Sequence, residues 1–140
     1  MASSASGFTL PVRVYYEDTD SGGVVYHANY LKFMERARTE WLRVLGFEQD
    51  RLEADQGVVF AVSRMEIDFI RPARFNDALY VQSYLQRQRR ASLLFRQEIV
   101  REQDGGLLCA ATVQVACVDT VKFRPARIPP NLISRLTNVV

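Results

Sequence analysis

The amino-acid sequence predicts an α+β fold in which an antiparallel β-sheet wraps around one long α-helix. Three observations support this prediction: a short alternating strand near the start, a single long amphipathic helix, and four later extended segments joined by short turns. Short connections between neighbouring strands favour antiparallel pairing. The 140 residues, 48% of them hydrophobic and 24% charged, suit one globular domain. We place this domain at residues 9–140, after a flexible N-terminal tail of residues 1–8.

The first strand is predicted at residues 9–16, where apolar and polar side chains alternate and β-branched residues are frequent. In this register Val12, Val14 and Tyr16 share a face, and we expect that face to point toward the core. Residues 17–23 then predict a turn, because they contain two aspartates, a serine and two glycines.

The long helix is predicted at residues 28–45, because apolar side chains recur there at helical spacing while most charged side chains fall outside the stripe. We assign this stripe, which includes Trp41, to the core. Gly46 follows where a left-handed C-terminal cap is expected. A shorter helix is predicted from Asp50, whose spacing to the glutamate three residues later is that of a capping box, and it is expected to end at Gly57.

Four further strands are predicted, separated by short turns, at residues 58–70, 78–87, 92–102 and 107–120. The last of these strands carries mostly apolar side chains on both faces. We therefore expect a helix to cover one face and a second subunit to cover the other. A short helix is expected from Asn131.

Composition argues against several classes of protein. The formal net charge of +2 is too small to indicate nucleic-acid binding, and the apolar runs are far shorter than the roughly 20 residues of a transmembrane helix. The first residues do not resemble a secretory signal, so we expect a soluble cytoplasmic protein. Cys109 and Cys117 lie eight residues apart in one predicted strand, about 26 Å at ~3.3 Å per residue, which is too far for a disulfide. Both are expected to be buried apolar fillers.

The stretch between the first strand and the long helix contains acids, glycines and the only histidine of the chain. It places Asp18, Asp20 and His27 beside a helix start, where the first backbone N–H groups have no intrahelical partner. Such groups stabilise a developing oxyanion, and a nearby carboxylate serves in acyl transfer as a nucleophile or as a general base. A thioester is the natural substrate of so sparse a site, because a thiol with a pKa near ~8.5 leaves with little help. The sequence contains no Gly-x-Ser-x-Gly elbow, which favours the carboxylate over a serine nucleophile.

The same stretch resembles the signature of YbgC-type acyl-CoA thioesterases, which belong to the 4-hydroxybenzoyl-CoA thioesterase branch of the hotdog fold. The likeness is carried by residues 12–30, 35–40, 71–74 and 118–119. The resemblance implies a hotdog domain whose sheet pairs with that of another subunit, active sites at the dimer interface, and commonly a tetramer built from two such dimers. It also implies an acyl-CoA substrate or an acyl-carrier-protein thioester, and no cofactor.

The resemblance assigns roles to individual residues. The family's catalytic aspartate falls on Asp20, its accompanying tyrosine on Tyr16 and its histidine on His27, with the backbone N–H near His27 in the oxyanion role. Asp18 is then expected to be mainly structural. From local pattern alone, Asp20 is a turn-forming or helix-capping acid, His27 has the alternative of a cap or a buried polar residue, and Tyr16 is equally a core residue.

Two arginines are assigned by the same resemblance. Related enzymes hold the CoA nucleotide with basic residues at a matching turn, which points to Arg89 and Arg90. Guanidinium groups suit phosphate recognition because they donate in a planar fork. A solvated basic loop explains both residues equally well.

Three functions other than hydrolysis are alternatives for this sequence. A metal site on Asp18, Asp20 and His27 fits poorly, because Gly22 stands where a calcium loop needs a third oxygen ligand and a single histidine does not suit zinc. The others are a non-catalytic subunit that binds acyl-CoA or acyl-carrier protein, and a hotdog dehydratase that removes an acyl-chain proton. The sequence does not identify the acyl group.

Overall fold

The computed structural model describes residues 7–137 and shows, in that part of the chain, a five-stranded antiparallel sheet and three α-helices. The elements in chain order are β1 (Gly7–Arg13), α1 (His27–Val44), α2 (Gln49–Gln56), β2 (Val58–Phe69), β3 (Ala78–Gln88), β4 (Ser92–Arg101), β5 (Leu107–Asp119) and α3 (Pro130–Thr137). The strand order across the sheet is β1-β3-β4-β5-β2. The predicted α+β class is confirmed, and β2 to β5 end within one residue of their predicted bounds.

The first strand lies earlier in the chain than predicted. β1 begins at Gly7, and Phe8 packs in the core; residues 1–6 of the expected tail lie outside the described residues. The strand ends at Arg13, and a 3₁₀ turn follows at Tyr16–Asp18. The side chain of Tyr16 is therefore 75% exposed, and the prediction that it faces the core is wrong.

Turn chemistry explains why the strand stops. The Asp18 carboxylate accepts a hydrogen bond from the Tyr15 N–H at 2.8 Å, and the carbonyl of Tyr16 accepts from both the N–H and the hydroxyl of Thr19. Aspartate and threonine side chains that bond the nearby backbone compete with a strand ladder. The alternating pattern of residues 9–16 therefore overstated the length of the strand.

α1 is the main packing element of the core. Its buried stripe recurs every three or four residues and consists of Tyr30, Phe33, Met34, Ala37 and Trp41. The sheet contributes side chains that are at most 3% exposed to the same cluster, among them Val81, Phe95, Ile99 and Val113. Burial of a large apolar side chain stabilises a fold by roughly 1.5 to 3 kcal/mol. This stripe therefore sets the position of α1 over the sheet.

The C-terminus of α1 has the predicted glycine cap. Gly46 has a φ of 98°, which favours glycine because a Cβ is strained there. The N–H of Gly46 donates to the carbonyl of Arg43 at 3.0 Å, and the N–H of Phe47 donates to that of Leu42 at 2.8 Å. This pair of bonds is the Schellman arrangement.

α2 begins slightly earlier than predicted. Its N-cap residue is Glu48, whose carbonyl accepts the Leu52 N–H at 3.0 Å, so Asp50 lies inside the first turn. Among residues 7–137, the Asp50 carboxylate accepts only the N–H of Arg51, and the predicted capping box is wrong. Burial of Leu52 sets the register of this helix instead. The predicted end at Gly57 is confirmed.

The positions of the two cysteines and the lengths of the helices bear on two further predictions. Cys109 and Cys117 are free and buried on the face of β5 that packs in the core, as predicted. None of the helices between residues 7 and 137 is long and apolar enough to cross a membrane.

A buried polar network crosses the core beside α1. Gln97 on β4 is fully buried; its Nε2 donates to the carbonyl of Met34 at 3.0 Å and to the Ser83 hydroxyl at 2.9 Å. Its Oε1 accepts from Nη1 of Arg38 at 2.9 Å. One side chain thus joins α1 to β3 and β4. Such a network is stabilising only while every member keeps a partner.

We predict that Gln97→Leu lowers the free energy of unfolding by about 2–4 kcal/mol, because it leaves buried donors and acceptors without partners. The measurement is urea denaturation followed by circular dichroism. Gln86→Leu is the matched control, since Gln86 is exposed on β3, and it should stay near the wild type. Equal stability of the two variants would contradict the proposed importance of the network.

Candidate active site

The loop between β1 and α1 places Asp20 at the tip of a tight turn. Thr19 and Val25 pair across the turn, the Asp20 N–H donates to the carbonyl of Val24 at 2.9 Å, and the Gly23 N–H donates to the carbonyl of Asp20 at 3.0 Å. The Asp20 carboxylate is exposed and accepts the N–H of Gly22 at 2.8 Å. The predicted turn is confirmed, and it presents a carboxylate to the outside.

Asp18 has a different environment two residues earlier. It is only 6% exposed, and its two carboxylate oxygens accept from the Tyr15 N–H and from Nδ2 of buried Asn29, both at 2.8 Å. Its backbone carbonyl accepts the Tyr26 N–H at 2.9 Å. Asp18 therefore ties the loop to the first turn of α1, which agrees with the structural role expected for it.

α1 begins at His27 without a side-chain cap, because Tyr26 occupies the N-cap position. Within residues 7–137, the backbone N–H groups of His27 and Ala28 have no acceptor. Helix starts favour negative charge through such N–H groups and through the helix dipole. The start of α1 is therefore suited to polarise a carbonyl group.

The His27 imidazole lies at the rim of an open, mostly apolar depression of about 240 Å³. Its ring centroid is 4.6 Å from that of Tyr26 and 6.0 Å from that of Phe69, which it meets edge to face. Other lining residues are Val25, Tyr30, Ile70, Arg71 and Pro72. An apolar group next to the start of α1 has a surface to pack against here.

The segment after β2 packs against the Asp20 loop and α1 beside this depression. Local sequence patterns did not predict this contact. The Ala73 N–H donates to the Tyr30 hydroxyl at 2.9 Å, and the carbonyl of Ala73 accepts the Val25 N–H at 2.8 Å. Burial raises the pKa of the Tyr30 phenol, although the hydrogen bond from Ala73 opposes that shift. Tyr30 thus holds loop and segment together as a neutral group. The only signal in the sequence was the match at residues 71–74.

Tyr16 lies on the outer side of the loop. Its ring stacks on Phe75 with centroids 3.8 Å apart and planes 3° from parallel, and both side chains remain substantially exposed. The structure therefore brings Tyr16 into contact with the segment after β2 rather than with the core.

Arg89 and Arg90 lie in the hairpin between β3 and β4, with exposed side chains. The Arg89 N–H donates to the carbonyl of Ser92, and the carbonyl of Arg90 accepts the Ile128 N–H. Ala78, at the other end of β3, pairs with the last residue of β1, next to the Asp20 loop. The ten steps along β3 span about 33 Å at ~3.3 Å each, so one chain does not bring these arginines to Asp20.

Neither cysteine is suited to act as a nucleophile. Burial raises the pKa of the Cys109 thiol to about 12 and also raises that of Cys117. A thiol reacts through its thiolate, which is scarce at neutral pH when the thiol pKa is raised.

Within residues 7–137 no group of three or more His, Cys, Asp or Glu side chains is placed to hold a metal ion. Asp20 remains as an exposed carboxylate in the loop that leads to the start of α1.

A family described as the thioesterase-like superfamily matches residues 14–136 of this chain. The chain belongs to the thioesterase-like superfamily. The acyl-CoA thioesterase YbgC of Haemophilus influenzae is 48% identical over 124 residues, which cover 89% of this chain and 90% of that relative. This match confirms the predicted YbgC-type branch.

Solved structures of thioesterases share the fold. A probable thioesterase from Bartonella henselae is 36% identical and superposes with a TM-score of 0.83, over 89% of this chain and 100% of that one. A 4-hydroxybenzoyl CoA thioesterase variant, solved in complex with 4-hydroxybenzoyl CoA, superposes with a TM-score of 0.87 at 19% identity, over 94% of this chain and 99% of that one. The predicted hotdog fold of this superfamily member is confirmed.

The two aspartates of the loop should differ sharply in their effect on stability. We predict that Asp18→Asn lowers the free energy of unfolding by about 1–3 kcal/mol, because its new NH₂ group would face a buried donor. Asp20→Asn should change it by less than about 0.5 kcal/mol, because the side chain is exposed and an amide oxygen still accepts the Gly22 N–H. Urea denaturation measures both values. An equal loss in the two variants would contradict the structural role of Asp18.

Proposed function

We propose that this superfamily member hydrolyses acyl-CoA thioesters to a free acid and CoA at the loop that carries Asp20. The observation that carries the proposal is the exposed Asp20 carboxylate in the loop that leads into α1, whose first N–H groups, those of His27 and Ala28, have no acceptor among residues 7–137. The acyl-CoA substrate is supported by the 48% identity to an acyl-CoA thioesterase of H. influenzae.

The proposed reaction starts with the thioester carbonyl at the start of α1. The N–H groups near His27 stabilise the negative charge that develops on the carbonyl oxygen. Asp20 either attacks the carbonyl carbon and forms an anhydride, which water then cleaves, or removes a proton from the attacking water. In both routes the C–S bond breaks and CoA leaves as a thiolate, which takes up a proton. Incorporation of ¹⁸O from labelled water into the Asp20 carboxylate during a single turnover is the sign of the anhydride route, because water then attacks the Asp20 carbonyl carbon of the anhydride and the substrate acid leaves.

His27 and Tyr16 complete the proposed catalytic set. The His27 imidazole lies beside the depression lined by Val25, Tyr30 and Phe69, where it orients the acyl group for attack. Tyr16, stacked on Phe75, forms an exposed aromatic wall at the outer side of the same loop. The apolar depression suits a short-chain or aromatic acyl group.

The proposal for the rest of CoA requires a second copy of the chain. Arg89 and Arg90 are the proposed clamp for the CoA phosphates, yet the length of β3 separates them from Asp20 of the same chain. β2 is an outer strand of the sheet, and its twelve residues offer an edge for pairing with a second copy. We propose a dimer, or a dimer of dimers, in which the arginines of one subunit serve the loop of another. Acyl-carrier protein is the alternative carrier of the acyl group. We also propose a cytoplasmic location, because both cysteines are free thiols and reducing compartments keep thiols free.

We predict that Asp20→Asn lowers kcat/KM by about 10³-fold or more, roughly 4 kcal/mol of barrier, because it removes the proposed nucleophile or base. Thiol release from short, aromatic and long acyl-CoA esters measures this effect, and the panel identifies the acyl class. Glu17→Gln is the matched control, because Glu17 is an exposed acid of the same loop, and it should retain activity. A folded Asp20→Asn variant with wild-type turnover would contradict the assignment. Binding of acyl-CoA without turnover by the wild type would favour a non-catalytic subunit.

We predict that replacing Arg89 and Arg90 together by glutamine raises KM for acyl-CoA roughly tenfold, about 1.4 kcal/mol, with kcat little changed. The reason is that the arginines contact the phosphates and not the reacting carbonyl. The matched control is the same acyl group on pantetheine, which lacks the nucleotide and should be hydrolysed equally by both proteins. An equal loss with both substrates would show that the hairpin is not a phosphate clamp.

A further inference from the structure

The hydroxyl group of Tyr30 has an unused hydrogen-bond donor. Tyr30 is only 4% exposed, and its hydroxyl oxygen accepts the Ala73 N–H at 2.9 Å. A phenol hydroxyl can also donate one hydrogen bond, and between residues 7 and 137 no group accepts it. A buried donor without an acceptor costs roughly 1–3 kcal/mol. The Tyr30 hydroxyl therefore favours a ligand that brings an acceptor.

The position of Tyr30 on α1 places this donor at the open depression beside the helix start. Tyr30 lies three residues after His27, about 4.5 Å along the axis at 1.5 Å per residue and on nearly the same side of the helix. Helix side chains lean toward the N-terminus, so the Tyr30 ring reaches back toward the first turn. Both residues line the depression of about 240 Å³. The ring of Phe69 packs against both, with centroids 6.0 Å from His27 and 5.8 Å from Tyr30.

The contacts of the hydroxyl oxygen hold it in place. Its bond to Ala73 belongs to a bridge between the segment after β2 and the loop before α1, because the Ala73 carbonyl accepts the Val25 N–H at 2.8 Å. Ala73 is fully buried, and Val25 is 4% exposed. The Ala73 N–H uses one lone pair of the oxygen and leaves the proton of the hydroxyl available to a ligand.

Tyr30 keeps this proton at neutral pH. Burial raises the pKa of the phenol above its ordinary value, and the hydrogen bond from Ala73 opposes that shift. A neutral hydroxyl with a fixed oxygen needs no reorganisation when negative charge develops on an atom beside it. The N–H groups of His27 and Ala28, which have no acceptor among residues 7–137, are further donors at this end of the helix.

We propose that the Tyr30 hydroxyl donates a hydrogen bond to the carbonyl oxygen of the bound acyl thioester, together with the N–H groups at the start of α1. Tyr30 is then a further catalytic residue, because it contacts the atom on which negative charge develops. A hydrogen bond to a charged oxygen is shorter and roughly twice as strong as one to a neutral oxygen. The bond therefore strengthens as the tetrahedral intermediate forms. This inference rests on the proposed function, whereas the hydrogen bond itself requires no turnover.

Removal of the hydroxyl is the first test. We expect Tyr30→Phe to lower kcat for acyl-CoA hydrolysis about 10²-fold, as is typical for the loss of one oxyanion donor, with KM changed less than about threefold. Tyr15→Phe is the matched control, because Tyr15 is a 61% exposed tyrosine of the loop before α1, and it should keep the wild-type kcat. Equal kcat values of the two folded variants would overturn the proposal.

Fluorinated tyrosines separate donation to the substrate from acceptance of the Ala73 N–H. Replacement of Tyr30 by 3-fluorotyrosine or 3,5-difluorotyrosine makes the O–H a stronger donor and the oxygen a weaker acceptor. Donation to the carbonyl predicts a rise in kcat of about twofold per fluorine at about pH 6, where the raised pKa keeps the phenol protonated. A merely structural role predicts no rise. An unchanged or lower kcat contradicts the proposal, and this test remains decisive where Tyr30→Phe does not fold.

The carbonyl band of a bound ketone reports the same hydrogen bond without turnover. The probes are the butyryl-CoA and benzoyl-CoA analogues in which CH₂ replaces the thioester sulfur, because these ketones cannot be hydrolysed. We expect the infrared stretching band of the bound carbonyl to lie at lower frequency in the wild type than in Tyr30→Phe, and lower still with 3-fluorotyrosine. Tyr15→Phe should match the wild type. The same band in all four proteins, or no binding of either ketone, would rule out the hydrogen bond.

The two proposals fail in different ways. A band that depends on Tyr30, in a wild type that hydrolyses no acyl-CoA, would refute the proposed hydrolysis and leave the Tyr30 hydrogen bond standing. A wild type that hydrolyses acyl-CoA, with a band independent of Tyr30, would refute only the role of Tyr30.

Discussion

The buried carboxylate of Asp18 holds together the parts of the structure on which the site depends. It accepts one hydrogen bond from the end of the strand region, at Tyr15, and another from the first turn of α1, at Asn29. These two bonds bend the chain away from β1 and return it to the start of the helix. The exposed tip between them, with Asp20, is thereby held at the helix start. A buried acid therefore positions an exposed one two residues away.

The helix itself is positioned by two kinds of interaction. The apolar stripe of α1 supplies most of the stabilisation, because it removes large side chains such as Phe33 and Trp41 from water. The network centred on Gln97 adds direction, since its bonds to Met34 and Arg38 of α1 require one position of the helix over the sheet. Apolar contacts tolerate small shifts of a helix, whereas buried hydrogen bonds tolerate much less.

Most of the fold was predictable because its signals are local. The long period-3.6 stripe, the glycines at helix ends and the turns between strands each depend on a few neighbouring residues. The predictions that were wrong also have local causes. Tyr16 left the strand because Asp18 and Thr19 bond the backbone around it, and Asp50 lost its cap because Leu52 sets the register of α2. In both cases, a neighbouring contact overrode a valid pattern.

The sequence by itself determined the α+β class, the glycine cap of α1, the turn that carries Asp20 and, by resemblance, the family. Only the tertiary structure decided which aspartate is buried, because Asp18 and Asp20 have the same chemistry and differ only in the partners that the fold brings to them. It likewise decided that Tyr30 and His27 line the same depression and that the arginine hairpin lies at the far end of β3 from the Asp20 loop. Burial and distance arise from contacts between residues far apart in the chain, and local patterns do not encode them.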